Sequence, residues 1–254
     1  MRNEELLARS MMASGWHLLA FDFIPHSSFL IPHSSLILQH TQQEDFWSGD
    51  FGREYTDRNS RPLDEWNAFY RDLYGHTKLE MNAEFLGELP REARILEVGC
   101  NTGMQLVGLQ AAGFTNLYGV ELQQYAVEKA RDFVRGVNIL QGSGFDLPFK
   151  DNYFDVTCTN GVLIHIAPDD LPRIMGEMVR TSRRYIMGYE YYAPETTSIK
   201  YRGNDGFLWK TDFAQVFLNE FPNLRLVKQK LYPYINDAER GNQDVVYLLE
   251  KISV

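Results

Sequence analysis

The chain has 254 residues, with 25 Lys and Arg against 34 Asp and Glu, giving a formal net charge of −9. That length allows one large or two small domains with a sizeable core, and the acidic balance argues against a nucleic-acid partner, which needs clustered cations. Two cysteines, Cys100 and Cys158, offer neither a zinc spacing nor a disulfide framework, and no apolar run reaches the ~18 residues of a membrane span, so the expectation is a cytoplasmic protein with no metal and no membrane partner.

Residues 1–41 differ from the rest. Ser14 to Leu38 is apolar but broken by Asp22, Pro25 and Pro32, and Ile24-Pro-His-Ser-Ser28 recurs as Ile31-Pro-His-Ser-Ser35. A dispensable, poorly ordered leader is expected there. From Gln42 the aromatics Phe46, Trp47, Phe51 and Tyr55 sit among charges. Trp66, Phe69, Tyr70, Leu73 and Tyr74 then follow at the spacing of one helix face. A second helix is expected from Lys78 to Leu89, stopped by Pro90. Residues 42–90 thus read as a helical cap. It either packs on a sheet edge or closes as a lid, with Tyr55, Arg58 and Asn59 pointing into a site.

Arg94 to Met104 opens the main domain, expected over 91–254. Ile95, Leu96 and Val98 form the apolar run of a strand buried on both faces, and Gly99-Cys100-Asn101-Thr102-Gly103 leads directly into a helix ending near Gly113. A dinucleotide turn, G-x-G-x-x-G, would need glycine at 101 and 104, where Asn101 and Met104 stand. The bare turn suits a nucleoside without a pyrophosphate. Leu117 to Glu121 is a second strand whose terminal acid lies 22 positions after Gly99. That spacing places a carboxylate on a ribose diol, each charged hydrogen bond contributing about 1.5–3 kcal/mol.

Strands then follow at Val137–Gln141, Tyr153–Thr159 and Ser182–Tyr189. One intervening helix carries Ala126, Val127 and Ala130, and another Leu171, Ile174, Met175 and Met178. The turn-rich segment from Tyr191 to about residue 210 leaves the carboxyl end of the fifth strand, the edge where open α/β sheets bind ligands. Thr211 is expected to cap a helix through Phe213, Val216 and Phe217. Leu224–Leu231 and Asp244–Lys251 close the chain as two mutually antiparallel strands. The expected fold is α/β and Rossmann-like, a seven-stranded, mostly parallel sheet with helices on both faces and an antiparallel final strand.

Leu96-Glu-Val-Gly-Cys-Asn-Thr-Gly103 with Glu121 resembles the cofactor-binding motif of class I S-adenosylmethionine-dependent methyltransferases. The resemblance implies S-adenosyl-L-methionine as cofactor. It would be held by Glu97, Gly99, Cys100, Asn101, Gly103, Glu121 and Leu122, by Ser143, Gly144 and Phe145 in the adenine loop, and by Asn160, Gly161, Tyr55 and Asn59. Members of that class commonly carry an acid right after the first glycine of the adenine loop; Ser143 stands there, leaving the contact to the exocyclic amine open among Ser143, a backbone carbonyl and Asp146. Asp155 matches an acid implied to orient the glycine turn.

Three stretches, Phe46–Asn59, Leu96–Met104 and Tyr201–Phe213, make residues 43–251 similar to the pseudaminic acid biosynthesis-associated methylases. That likeness implies a small, sugar-type acceptor. His165 is the first candidate for a general base, Glu190 and Tyr191 the next, and Arg202 and Tyr192 are candidates for binding the acceptor. Other readings are a methyltransferase of another small molecule, a nicotinamide oxidoreductase, disfavoured by positions 101 and 104, and a non-catalytic methyltransferase-like subunit.

Overall fold

A computed structural model describes residues 40–236 and 241–252; apart from His40 and Thr41, the expected leader lies outside them. Seven strands form one sheet. They are β1 (Arg94–Val98), β2 (Asn116–Glu121), β3 (Asn138–Gln141), β4 (Phe154–Asn160), β5 (Ser182–Tyr191), β8 (Leu224–Pro233) and β9 (Gln243–Lys251), in the order β3-β2-β1-β4-β5-β9-β8. The first five pair in parallel, and β9 runs antiparallel to both β5 and β8. This is the Rossmann-like arrangement expected, with one reversed strand. Two short strands, β6 (Thr197–Ser198) and β7 (Trp209–Lys210), make a hairpin within the loop after β5.

Alternation along the strands divides the core into two layers. Ile95 of β1 faces one cluster, with Trp66, Met81, Leu106, Leu109 and Val127; Leu96 and Val98 face the other, with Ile174, Met178, Phe213 and Phe217. The first layer is covered by α3 (Leu63–Tyr74), α4 (Lys78–Leu86), α5 (Met104–Ala111) and α6 (Gln124–Phe133). The second is covered by α7 (Leu171–Thr181) and α8 (Phe213–Glu220). Ile95 and Leu96 are fully buried, and truncating such a side chain to Ala costs about 2–5 kcal/mol. Among the described residues no helix is long and apolar enough to cross a membrane.

Several local expectations are corrected. The aromatic face of α3 consists of Trp66, Tyr70, Leu73 and Tyr74, whereas Phe69 is 46% exposed at the edge of that stripe. Helix α4 ends at Leu86, with Gly87 as its C-cap, before Pro90 can act. Asp212, not Thr211, caps α8: its side chain accepts the Gln215 amide at 3.1 Å, while the Thr211 hydroxyl meets that of Thr196 at 3.0 Å. Asp155 does not orient the glycine turn. It accepts the Arg94 amide at 2.8 Å and an Arg183 side-chain bond, at the opposite end of β1.

Two further helices, α1 (Gln42–Ser48) and α2 (Asp50–Asn59), lie over the carboxyl ends of the strands. Thr41 caps α1 with a full capping box to Glu44. Gln123 Nε2 reaches the carbonyls of Ser48 and Gly49 at 2.7 and 3.0 Å, and Asp57 pairs with Lys129 at 2.5 Å. Both contacts fix this pair of helices to the start and face of α6.

Candidate active site

The turn after β1 has little choice of residue. Gly99 has φ +73°, and a Cβ there would come within 2.6 Å of Val162 Cγ2. Gly103 has φ +78°, with Val134 Cγ2 at 2.7 Å from a would-be Cβ. Asn101 is also left-handed, at φ +46°, a conformation Asn tolerates better than other side chains. Its amide donates to Glu121 Oε2 at 2.9 Å, and Gln123 N donates to Oε1 at 2.8 Å. Glu121 therefore braces the bend from the tip of β2. Each of its oxygens keeps further acceptor capacity, and burial raises its pKa.

Above this bend is a cavity of about 450 Å³, roofed by α1, α2 and α3. Glu97, Gly99, Cys100, Asn101, Glu121, Leu122, Ser143, Gly144, Phe145, Asn160, Gly161, Tyr55 and Asn59 all line it, as do His165, Tyr191 and Arg202. Asp146 does not. Gly103, Glu190 and Tyr192 do not line it either, against expectation. Gly103 shapes the turn from outside, as the residue capping α5. Tyr192 lies past the strand end, its amide on the Gln243 carbonyl at 3.1 Å and its ring against the second core layer. Glu190 is fully buried on the other side of β5 from Tyr189 and Tyr191. It accepts the amides of Val162 and Ile164, both at 3.3 Å, and so holds the turn that carries His165. Arg58 is likewise turned away, toward Glu54 at 3.4 Å.

His165 is buried between Trp47 and Tyr201, with ring centroids at 4.5 and 5.0 Å. Its Nδ1 lies 2.8 Å from the Phe207 carbonyl. A carbonyl can only accept, so Nδ1 carries the hydrogen and Nε2 keeps its lone pair. Burial pulls the imidazole pKa down to about 4, partly opposed by the Phe207 bond, so the ring is neutral at pH 7. Tyr191 would have to ionise to act as a base, and burial pushes its phenol well up. Burial likewise moves the Tyr55 phenol up to about 12.

Three groups absent from the sequence reading belong to this region. Lys78 is fully buried, donates from Nζ to Asn160 Oδ1 at 2.6 Å, and lies 3.4 Å from the Tyr189 ring centroid. Desolvation drives its pKa down to about 7 against the attraction of Glu97 and Asp244. Asp244 lines the cavity and accepts three phenols, Tyr74 at 2.5 Å, Tyr189 at 2.7 Å and Tyr234 at 2.9 Å. Glu44, also lining it, accepts the Ser143 hydroxyl at 2.6 Å. A signal for Lys78 was present: it shares the buried face of α4 with Met81, Asn82 and Phe85. Nothing local marks Asp244 and Glu44 as cavity residues, since Tyr74 and Tyr189, which meet Asp244, and Ser143, which meets Glu44, lie far off in the chain.

The roof is latched by aromatic and polar contacts. Phe46 stacks on Phe207 at 4.0 Å, Asn101 Nδ2 donates to Thr56 Oγ1 at 3.1 Å, and Gln43 Nε2 reaches the Gly206 carbonyl at 3.3 Å. Arg202 (φ +46°) and Gly203 (φ +87°) form the two positive-φ positions of a tight turn closed by Tyr201 and Asn204. That turn sets Arg202 at the cavity wall.

The strand order and the braced glycine turn define the class I methyltransferase fold. Residues 96–184 match the family described as Methyltransferase domain. An uncharacterized methyltransferase of Schizosaccharomyces pombe is 35% identical over 85 residues, 29% of this chain and 31% of that protein. The O-methyltransferase rstn1 of Aspergillus nomiae is 30% identical over 99 residues, 37% of this chain and 43% of its own. The chain spans less than half the length of the curated relatives it matches. Among solved structures, the Burkholderia thailandensis 1,6-didemethyltoxoflavin-N1-methyltransferase, with its acceptor and S-adenosylhomocysteine bound, is similar in fold. Its TM-score is 0.59 at 14% identity, covering 83% of this chain and 87% of that one. The fold is thus that of class I, S-adenosylmethionine-dependent methyltransferases, and residues 96–184 match a methyltransferase domain.

Its cavity fits that cofactor. Glu97 is 2% exposed, and among the described residues its Oε2 and the buried Nε1 of Trp47 have no hydrogen-bond partner. Both residues line the cavity, so an acceptor and a donor await a polar ligand there.

Proposed function

We propose that this chain transfers a methyl group from S-adenosylmethionine to a hydroxyl of a small acceptor of the sugar or nonulosonate type. The observation that carries the reading is the Glu121 carboxylate, pinned under the glycine turn at Asn101 while lining the cavity. In this reading Glu121 holds the ribose diol, Gly99 and Asn101 follow the backbone of the ligand, Phe145 and Leu122 flank the base, and Glu97 takes the amino group. The bound cofactor supplies a methyl already activated on a sulfonium.

The residues of the chain then have positioning to do, which lowers a barrier by roughly 7–11 kcal/mol when orientation is good. Helices α1–α3, within residues 42–90, act as a lid over the cavity and exclude water. The segment from Tyr191 to about residue 210 forms the acceptor loop, with Arg202 placed to pair with an acceptor carboxylate. His165 Nε2 accepts the acceptor hydroxyl and takes its proton as the oxygen becomes an ether, a role worth about 10²–10⁴-fold.

Support for a sugar-type acceptor comes from the resemblance of the Phe46–Asn59 and Tyr201–Phe213 stretches and from Arg202. A second reading, a planar aromatic acceptor, is favoured by the Trp66, Phe69, Tyr70 and Tyr234 rings along the wall. Incubating the protein with methyl-labelled cofactor and either nonulosonates, nucleotide sugars or phenolic heteroaromatics tests both. Label on a sugar oxygen supports the first; label only on the aromatics selects the second.

A further inference from the structure

The loop after β3 places a hydroxyl, Ser143, between Gly142 and Gly144, and all three line the cavity beyond Glu121. Ser143 Oγ donates to Glu44 Oε1 at 2.6 Å while accepting the Phe145 amide at 3.1 Å. The other carboxylate oxygen of Glu44 accepts the Thr41 amide at 2.8 Å. Glu44 is 8% exposed, so a charged group from the roof is held from both sides at the cavity wall. An ionised carboxylate offers about four acceptor positions, and these two bonds leave acceptor capacity on both oxygens.

We propose that Glu44 is the base-selecting residue of the nucleoside site: it accepts the exocyclic amine of adenine with a carboxylate that the loop does not itself present to the cavity, since Asp146 lies off the cavity wall. The inference rests on the cofactor reading above and names one residue within it. Strand order supports the placement. With the ribose acid at the tip of β2 and the loop after β3 one strand further out, a base attached to that ribose reaches Ser143 and Glu44. A 6-oxopurine would turn an acceptor toward an acceptor there, which the site rejects for want of a donor. Because Glu44 sits on α1, the same contact ties the roof to the bound nucleoside.

The test is calorimetric affinity for S-adenosylhomocysteine and S-inosylhomocysteine, with thermal denaturation as the folding control. The wild-type chain is expected to prefer the adenine compound about 10- to 100-fold, as a charge-assisted bond implies. Glu44→Gln, which keeps a capping-box side chain, is expected to bring that preference within about threefold. Adding Ser143→Asp to Glu44→Gln moves a carboxylate onto the loop and is expected to restore it. Should Glu44→Gln fail to fold, Ser143→Ala removes the anchor of the carboxylate and is expected to weaken the preference. Undiminished preference in Glu44→Gln, or in Ser143→Ala as its substitute, overturns the role of Glu44, and so does a wild-type chain that binds both compounds equally. A wild-type chain that binds neither overturns the cofactor reading itself, and this inference with it.

Discussion

Glu121→Ala removes a brace and a ligand contact together, and the two losses are separable. In the folded chain, the carboxylate accepts the amides of Asn101 and Gln123 at 2.9 and 2.8 Å, and Asn101 is held at φ +46°. Each charged bond contributes about 1.5–3 kcal/mol, offset by relief of the buried charge, so the loss of stability should be about 2–4 kcal/mol. For a chain of this size that lowers Tm by about 4–12 °C. Loss of two ribose bonds should weaken S-adenosylhomocysteine binding at least ~10-fold and up to ~10³-fold. Glu121→Gln, which keeps one acceptor oxygen, should fall between. Calorimetry at 10 °C, below the lowered transition, reads affinity, and differential scanning reads Tm. A variant with depressed Tm but unchanged affinity would show that Glu121 serves only the turn.

Gly99→Ala puts a methyl against Val162 and strains a positive φ, so it should cost about 1–3 kcal/mol in urea denaturation, with Val162→Ala in the same chain recovering the steric part. His165→Asn should lower kcat by about 10²–10⁴-fold with little change in cofactor affinity. With its imidazole pKa at about 4, the wild-type rate should stay flat from neutral pH down and fall only as protonation removes the Nε2 lone pair; a rate that falls near pH 6.5 would contradict the neutral buried ring. Lys78 has a folded pKa of about 7 against an ordinary 10.5, so above pH 7 the unfolded chain binds the extra proton and stability rises with pH. Denaturation at pH 7 and 9 should show wild type gaining about 2 kcal/mol relative to Lys78→Met, and an equal slope in both would refute the assignment.

The parts of the fold legible in the sequence are those written in local periodicity. The apolar run at Ile95–Val98, the glycine turn and the acid at Glu121 are separated by short, regular intervals, and the reversed last strand follows from a connection too short for a crossover helix. Site residues drawn from one strand were harder. Tyr189 and Tyr191 line the cavity while Glu190 between them turns away, as period-2 alternation requires, so side-chain direction and not sequence proximity decides membership. Asp244 and Glu44 become readable as site residues only in three dimensions. Asp244 gathers Tyr74 from 170 positions away, and Glu44 meets Ser143 across 99. No window along the chain contains both partners.

The nucleoside site proposed at Gly99, Asn101 and Glu121 lacks a diphosphate cradle. It is tested most directly by titrating the wild-type chain with S-adenosylhomocysteine and, separately, with NAD. Saturable binding of the first that NAD fails to displace is the predicted result; tighter binding of NAD would contradict the account.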